Sequence, residues 1–121
     1  MNQKEELQNT FLEEYSAALL LKDAQKIKSA VILLSKALFA LCDYIIFTKY
    51  QKLPKNHTDR FRILEIKEKT LFLDVDSVWS KYTDTYSKPS TEESFILLSN
   101  TIRRIIKHDE TCREIKEILK K

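Results

Sequence analysis

The residues best suited to chemistry lie together near the C-terminus, in the segment 103–108 with the sequence RRIIKH. In a helix, Arg104 and His108 lie four positions apart on one face, whereas Arg103 is turned about 140° away from His108. A cationic arginine can stabilise a pentacoordinate phosphorane, and a histidine can exchange a proton with a ribose oxygen near neutral pH. Together these residue types suit cleavage of RNA without a metal ion. Basic side chains and a histidine at a helix C-terminus are also routine, because they interact favourably with the helix dipole, so both interpretations stay open.

The second histidine, His57, lies in the sequence LPKNHTDRF. Together with Asp59 and Arg60 it can form a polar cluster beside a basic segment of the chain. The same residues are typical of a loop that leads into a helix, with Thr58 and Asp59 at the helix start. The sequence leaves both a chemical role and a structural role for His57 open.

Three aromatic residues, Trp79, Tyr82 and Tyr86, follow each other at helical spacing. Aromatic rings beside basic residues can stack on bases, but this spacing is more typical of a packed core whose hydroxyl groups reach the surface.

Other groups in the sequence do not form a metal or nucleophile motif. Neighbouring carboxylates lack a Glu-x-x-His partner, and the two cysteines, Cys42 and Cys112, are far apart and belong to no Cys-x-x-Cys pair. The sequence therefore predicts no metal site and no cofactor.

The elements that must position these residues are predicted to be helices. The chain of 121 residues contains no glycine and only two prolines, Pro54 and Pro89. Without glycine, a phosphate-binding glycine loop, a Rossmann fingerprint and the usual hairpin turns are excluded. With 43% hydrophobic and 32% charged residues the chain is expected to fold, as an all-α domain.

The net charge of +3 is too small to indicate a nucleic-acid-binding protein by itself. Its distribution is uneven, because segments 47–69 and 103–121 each hold seven Lys and Arg residues, against three and four acidic residues respectively. These segments are either ordinary solvated helix faces or one basic patch formed where they meet.

Apolar residues recur at helical spacing over residues 3–22, 24–51 and 70–86, in a short segment after 53–59, and again from about 91. The spacing continues after His108 and Asp109 to about residue 119, either as a separate terminal helix or as an extension of the preceding one. Asn56 or Thr58 is expected to cap the helix after Pro54, and Ser90 with Glu93 to form a capping box, with Thr91 as the competing cap. Helix 24–51 is apolar nearly all round, which is typical of the central helix of a bundle.

We therefore expect one domain, 1–121, with four or five helices in an up-and-down bundle around a long central helix. Lys36 and Asp43 interrupt the apolar run 30–47, which favours a buried helix over a membrane span. The N-terminus is polar and acidic, unlike a signal peptide, so a cytoplasmic protein without membrane contact is expected.

Four segments in this order resemble the HEPN superfamily of small helical bundles, in particular its archaeal members. They are the long helix KIKSAVILLSKALFALCDYIIF, the histidine-containing turn LPKNHTDRFRIL, the tyrosine-ended helix VWSKYTDTY and the Arg-x4-His motif from Arg103 to His108. The resemblance covers about residues 5–120. It implies an up-and-down bundle of four or five helices that usually dimerises.

In the family members that are ribonucleases, the arginine and histidine of two protomers face each other and cleave RNA without a metal ion. Carried over to this chain, Arg103 would stabilise the charged phosphate and His108 would act as general acid or base. Arg104 departs from the family pattern, which often has Asn, Asp or His at that position. The predicted RNA contacts are Arg104, Lys107, Arg60 and His57.

The leading expectation is thus an HEPN-like homodimer that binds RNA or a nucleotide, with metal-independent endoribonuclease activity of the toxin–antitoxin or defence type. The alternative is a non-catalytic helical partner of a nucleotidyltransferase or another protein, which Arg104 and the modest net charge favour.

Overall fold

Six α-helices make up residues 2–121, the part of the chain that this computed structural model describes; Met1, the first residue of the predicted domain, lies outside it. They are α1 (Gln3–Asp23), α2 (Ile27–Tyr50), α3 (His57–Lys67), α4 (Lys69–Thr83), α5 (Glu92–His108) and α6 (Arg113–Leu119). Short 3-10 turns follow α4 at Asp84–Tyr86 and α5 at Glu110–Cys112, and residues 2–121 contain no β-strand. The all-α class is confirmed, with six helices where the sequence predicted four or five.

The additional helix arises because α5 ends at His108. Asp109 has an extended backbone, with φ −90° and ψ 120°, and its carboxylate accepts hydrogen bonds from the backbone N–H and the hydroxyl of Thr111 at 3.0 and 2.6 Å. This local competition with helical hydrogen bonding stops α5, and the chain restarts as the separate helix α6.

Polar side chains determine where several helices begin. Asn56 caps α3 by accepting a hydrogen bond from the backbone N–H of Asp59 at 2.9 Å. Thr91 caps α5 in the same way, accepting from the N–H of Ser94 at 3.1 Å. Thr91, the alternative cap in the sequence, is therefore the residue that caps α5. The predicted capping box with Ser90 at the N-cap was wrong.

Two glutamines take the backbone conformation that glycine would otherwise provide. Gln25, between α1 and α2, has φ 61°, and Gln51, at the end of α2, has φ 57°. The left-handed conformation costs a non-glycine residue roughly 1–2 kcal/mol. The backbone N–H of Gln51 still makes the helical bond to the carbonyl of Phe47 at 2.9 Å, and its left-handed conformation then turns the chain away from the α2 axis.

Helix α2 lies at the centre of the fold and contacts α1, α3, α4 and α5. Helix α1 packs along it through a buried face that includes Phe11, Tyr15 and Ala18. All six helices contribute side chains to one buried apolar cluster. The prediction of a long central helix is confirmed. Helix α2 is apolar on nearly every side because other helices surround it.

In length and composition, α2 also meets the criteria for a membrane-spanning helix, the one helix of residues 2–121 that does so. The mean hydropathy of its most apolar 18-residue window is 2.0, and 72% of that window is buried inside the fold. Such burial is typical of the core helix of a bundle.

Candidate functional site

A buried ion pair joins α3 to the central helix. The Nε of Arg60 donates to Oδ1 of Asp43 at 2.7 Å, and its Nη2 donates to Oδ2 at 3.0 Å. The two side chains are only 10% and 15% exposed, and the guanidinium lies 5.3 Å from the ring centre of Phe39. A two-point arginine–carboxylate contact of this kind fixes both distance and orientation. It therefore sets the position of α3 on α2.

His57 completes this contact. Its Nδ1 lies 2.6 Å from Nη1 of Arg60. Because a guanidinium can only donate hydrogen bonds, Nδ1 is the acceptor, and the neutral ring carries its proton on Nε2. We call Asp43, Arg60 and His57 the α2–α3 lock.

The polar cluster predicted around His57 thus exists, with one correction. Its carboxylate is Asp43 of α2 rather than the neighbouring Asp59. Asp59 instead accepts from the backbone N–H of Lys55 at 3.0 Å and from Arg62 at 2.6 Å. The sequence signal for the true partner was an aspartate within an apolar helix, because a buried carboxylate needs a cation.

Aromatic rings enclose the histidine of the lock. The ring centres of Phe39, Trp79 and Tyr82 lie 4.7, 5.1 and 5.8 Å from that of His57. Tyr86, which is exposed, extends this group outward through a hydroxyl–hydroxyl hydrogen bond to Tyr82 at 2.9 Å. The tyrosine-containing end of α4 is therefore mainly packing around His57.

Burial within this group, followed by the adjacent positive charge of Arg60, lowers the pKa of His57 below its usual value. Protonation at Nδ1 would also remove the acceptor of the Arg60 hydrogen bond. The lock is thus compatible only with the neutral histidine.

A second polar network lies where the two basic segments of the sequence meet. The Nζ of Lys49 lies 2.8 Å from a carboxylate oxygen of Glu68 and 3.5 Å from one of Asp109. The hydroxyl of Tyr50 also donates to Glu68, and this hydrogen bond raises the pKa of Tyr50. The segments 47–69 and 103–121 are therefore adjacent in space, as the interpretation of one basic patch required. At the point where they meet, however, Glu68 and Asp109 offset the charge of Lys49.

Arg104 and His108 line one groove of about 360 Å³ between α4 and α5. Arg104 donates to Asp74 of α4 through Nε and Nη2, at 3.3 and 3.0 Å. Arg104 and His108 therefore share one face of α5, as predicted. The guanidinium of Arg104, however, is already paired with the carboxylate of Asp74.

Arg103, the other predicted catalytic residue, lies elsewhere. It lines a groove of about 250 Å³ between α1 and α5, together with Lys22 and Phe95. A single protomer therefore does not place Arg103 and His108 in one groove.

On its other side, His108 borders a polar groove of about 290 Å³ between α5 and α6. Lys107, Arg113 and Lys116 also line this groove, and none of the three forms an ion pair with any residue of 2–121. We call His108 with these three cations the α5–α6 surface. Sequence reasoning missed Arg113 and Lys116, although both belong to the basic segment 103–121.

Three carboxylates share this groove, and their partners determine its charge. Asp109 is bound to Lys49, and Glu117 lies 3.6 Å from Lys120, whereas Glu110 forms no ion pair with the described residues. Two of the three negative charges are therefore offset by cations other than those of the surface, which leaves the groove positive.

The remaining predicted RNA contacts occupy different environments. Lys107 is exposed on the α5–α6 surface, whereas Arg60 is 8% exposed and uses its guanidinium within the lock. His57 is enclosed beside it. Of these three residues, only Lys107 presents a cation to solvent. Arg60 and His57 instead hold α3 in position on α2.

Other reactive groups are buried or dispersed. Burial raises the pKa of both cysteine thiols, that of Cys112 to about 12, which disfavours the nucleophilic thiolate. No group of three or more His, Cys, Asp or Glu side chains within residues 2–121 is arranged to hold a metal ion.

Comparison of the chain with known protein families, curated proteins and solved structures finds no match.

The lock predicts a specific dependence of stability on pH. Because the pKa of His57 is lower in the folded than in the unfolded protein, the unfolded chain binds more protons below the ordinary histidine pKa of about 6.5. The stability contribution is complete above that pH and decreases as the pH falls. We expect the free energy of unfolding, from denaturant titrations between about pH 7.5 and 5.5, to fall more in the wild type than in His57→Asn.

Asparagine retains an oxygen that can accept from Arg60 but does not titrate, so it isolates the effect of the proton. His108→Asn, which removes the exposed histidine, serves as the matched control. Parallel curves for the wild type and His57→Asn would contradict a neutral histidine in the lock.

Proposed function

We propose that the protein is an HEPN-like homodimer that binds RNA, and that the α5–α6 surface is the contact. The observation that carries the proposal is the group of unpaired cations, Lys107, Arg113 and Lys116, beside exposed His108. Affinity for single-stranded RNA derives largely from cations that replace the counterions of its phosphates. Cations already used in ion pairs contribute less to such binding.

The location of these cations also supports the proposal. The lock and the Lys49 network hold α3, α4 and α5 against the C-terminal half of α2. Cations within those contacts stabilise the fold, and the cations of the α5–α6 surface remain free for an external anion. The groove has a predominantly polar lining, which suits a phosphate backbone better than an apolar ligand.

The first test measures binding of a labelled single-stranded RNA to the wild type and to a charge-reversed variant. The variant Lys107→Glu/Arg113→Glu/Lys116→Glu should bind at least about tenfold more weakly, because three phosphate-neutralising charges become repulsive. All three side chains are solvent-accessible, and circular dichroism checks that the variant remains folded.

The matched control, Lys26→Glu/Lys28→Glu/Lys88→Glu, makes the same change in net charge at the opposite end of the bundle and should bind nearly as the wild type does. Equal loss of affinity in the two variants would indicate a response to net charge alone and would contradict the assigned surface.

Metal-independent RNA cleavage is the enzymatic form of this proposal. His108 would exchange a proton with a ribose oxygen, and an arginine would stabilise the phosphorane. Because Arg103 and His108 of one protomer line different grooves, a second protomer would have to bring Arg103 to His108. The homodimer is therefore part of this proposal.

A non-catalytic partner of a nucleotidyltransferase or another protein is the second candidate. It is favoured by the ion pair between Arg104 and Asp74, because this pair occupies the arginine that shares the groove between α4 and α5 with His108.

Cleavage of RNA in EDTA separates the two candidates. In the enzymatic form, the wild type cleaves and both His108→Ala and Arg103→Ala lose at least about a hundredfold in rate. If each site combines Arg103 of one protomer with His108 of the other, mixing the two inactive variants should restore part of the activity. Each mixed dimer then holds one intact Arg103–His108 pair. A folded wild type that binds RNA without cleaving it would favour the non-catalytic form.

A further inference from the structure

The outer face of α3 forms a groove of about 500 Å³ with the loop that precedes the helix. We call it the α3 groove. It is separate from the α5–α6 surface, and neither the fold nor the proposed RNA contact uses it.

Aliphatic side chains line the floor of this groove. Ile63 and Ile66 lie one turn apart on α3, and Leu53 of the loop lies beside them. Ile66 is 74% exposed and Leu53 is 49% exposed. The helix attaches to the rest of the fold through Arg60 and the buried Leu64, and Ile63 is partly buried against the core. The side chains of Leu53 and Ile66 are left exposed.

Cations surround this apolar floor. The groove is lined by the four basic residues Lys52, Lys55, Arg62 and Lys67 and by a single carboxylate, Asp59. That carboxylate already accepts from the backbone of Lys55 and from Arg62. The groove therefore offers an occupant apolar contact in the middle and an excess of positive charge around it.

Hydrogen bonds within the chain fix the shape of the groove. Asn56 caps α3 and Asp59 bonds back to the loop, while the left-handed Gln51 closes α2. A preformed groove loses less conformational entropy when it binds a ligand.

We propose that the α3 groove binds an acidic amphipathic helix of another protein. Such a helix would place apolar side chains at i, i+3 or i+4 and i+7 on the floor and its carboxylates against the cations. The excess of positive charge around the groove favours an acidic occupant, and the exposed aliphatic floor favours a peptide over RNA. Among the described residues that line it there is no aromatic ring on which a base could stack.

The test uses two labelled peptides of identical composition. One carries leucine at helical i, i+3, i+4 and i+7 positions with glutamate elsewhere, and the other has these residues scrambled. A labelled single-stranded RNA is titrated in parallel. The amphipathic peptide is expected to bind more tightly than the scrambled one, by about tenfold or more, because only it presents one apolar face.

Two variants of the groove test its apolar floor and its positive charge separately. Leu53→Ser/Ile66→Ser and Lys52→Glu/Lys67→Glu should each weaken binding of the amphipathic peptide by about tenfold or more. All four residues are exposed, so the fold should be retained. The matched controls are Leu73→Ser, a 56% exposed leucine of α4, and Lys26→Glu/Lys28→Glu at the start of α2.

Retention of peptide binding in both groove variants would overturn the proposal. So would equal binding of the two peptides, which would reflect charge alone. Binding of RNA but not peptide, lost in Lys52→Glu/Lys67→Glu, would identify a nucleic-acid surface instead. Self-association of the wild type that disappears in both variants would identify a second copy of this chain as the occupant. The peptide and self-association outcomes do not depend on RNA binding at the α5–α6 surface, and the RNA titration is made in Lys107→Glu/Arg113→Glu/Lys116→Glu, which lacks that contact.

Discussion

The contact between Asp43 and Arg60 is the constraint on which the arrangement of the C-terminal half depends. Asp43 lies on a central and predominantly apolar helix, and a carboxylate that is removed from water there is costly unless a cation satisfies it. Arg60 satisfies both of its oxygens and brings α3 onto α2. His57 and its aromatic neighbours then enclose the pair, which reduces competition from water. One buried charge thereby determines where a helix, a loop and the end of α4 must lie.

This internal use of charge explains how a chain with a net charge of only +3 can present strongly basic surfaces. Arg60 and Arg104 are each paired with a carboxylate of another helix, and Lys49 is paired with Glu68 and Asp109 beside the ends of neighbouring helices. Seven further cations lie around two grooves of different character. The α5–α6 surface is polar and includes His108, whereas the α3 groove has an aliphatic floor. The same end of the bundle therefore carries two basic grooves, one of which we propose for a nucleic acid and the other for a protein.

Local sequence patterns were sufficient for the helices but not for their contacts. Helical periodicity located α1, α2 and α4 to within a few residues. Asn56 was one of the two predicted caps of α3, because capping acts over one turn. The choice between Ser90 and Thr91 depends on the backbone, which the pattern does not specify. Asp43 and Arg60 lie 17 positions apart, so their pairing required the helix packing. The nearer Asp59 was predicted in its place. The separation of Arg103 from His108, by contrast, follows from helical spacing itself, which turns the two residues about 140° apart on α5.

A double-mutant cycle on Asp43 and Arg60 tests most directly whether this contact organises the fold. The free energy of unfolding is measured for Asp43→Ala, Arg60→Ala and the double variant, with the half-exposed pair Asp74 and Arg104 as control. Each single change at the lock should cost about 3–5 kcal/mol because it leaves a buried charge unpaired. The double variant should then be more stable than the sum of the two losses predicts, by at least about 2 kcal/mol. The control pair should show a coupling below about 1 kcal/mol. Additive losses at Asp43 and Arg60, with no coupling beyond that of the control, would contradict the account.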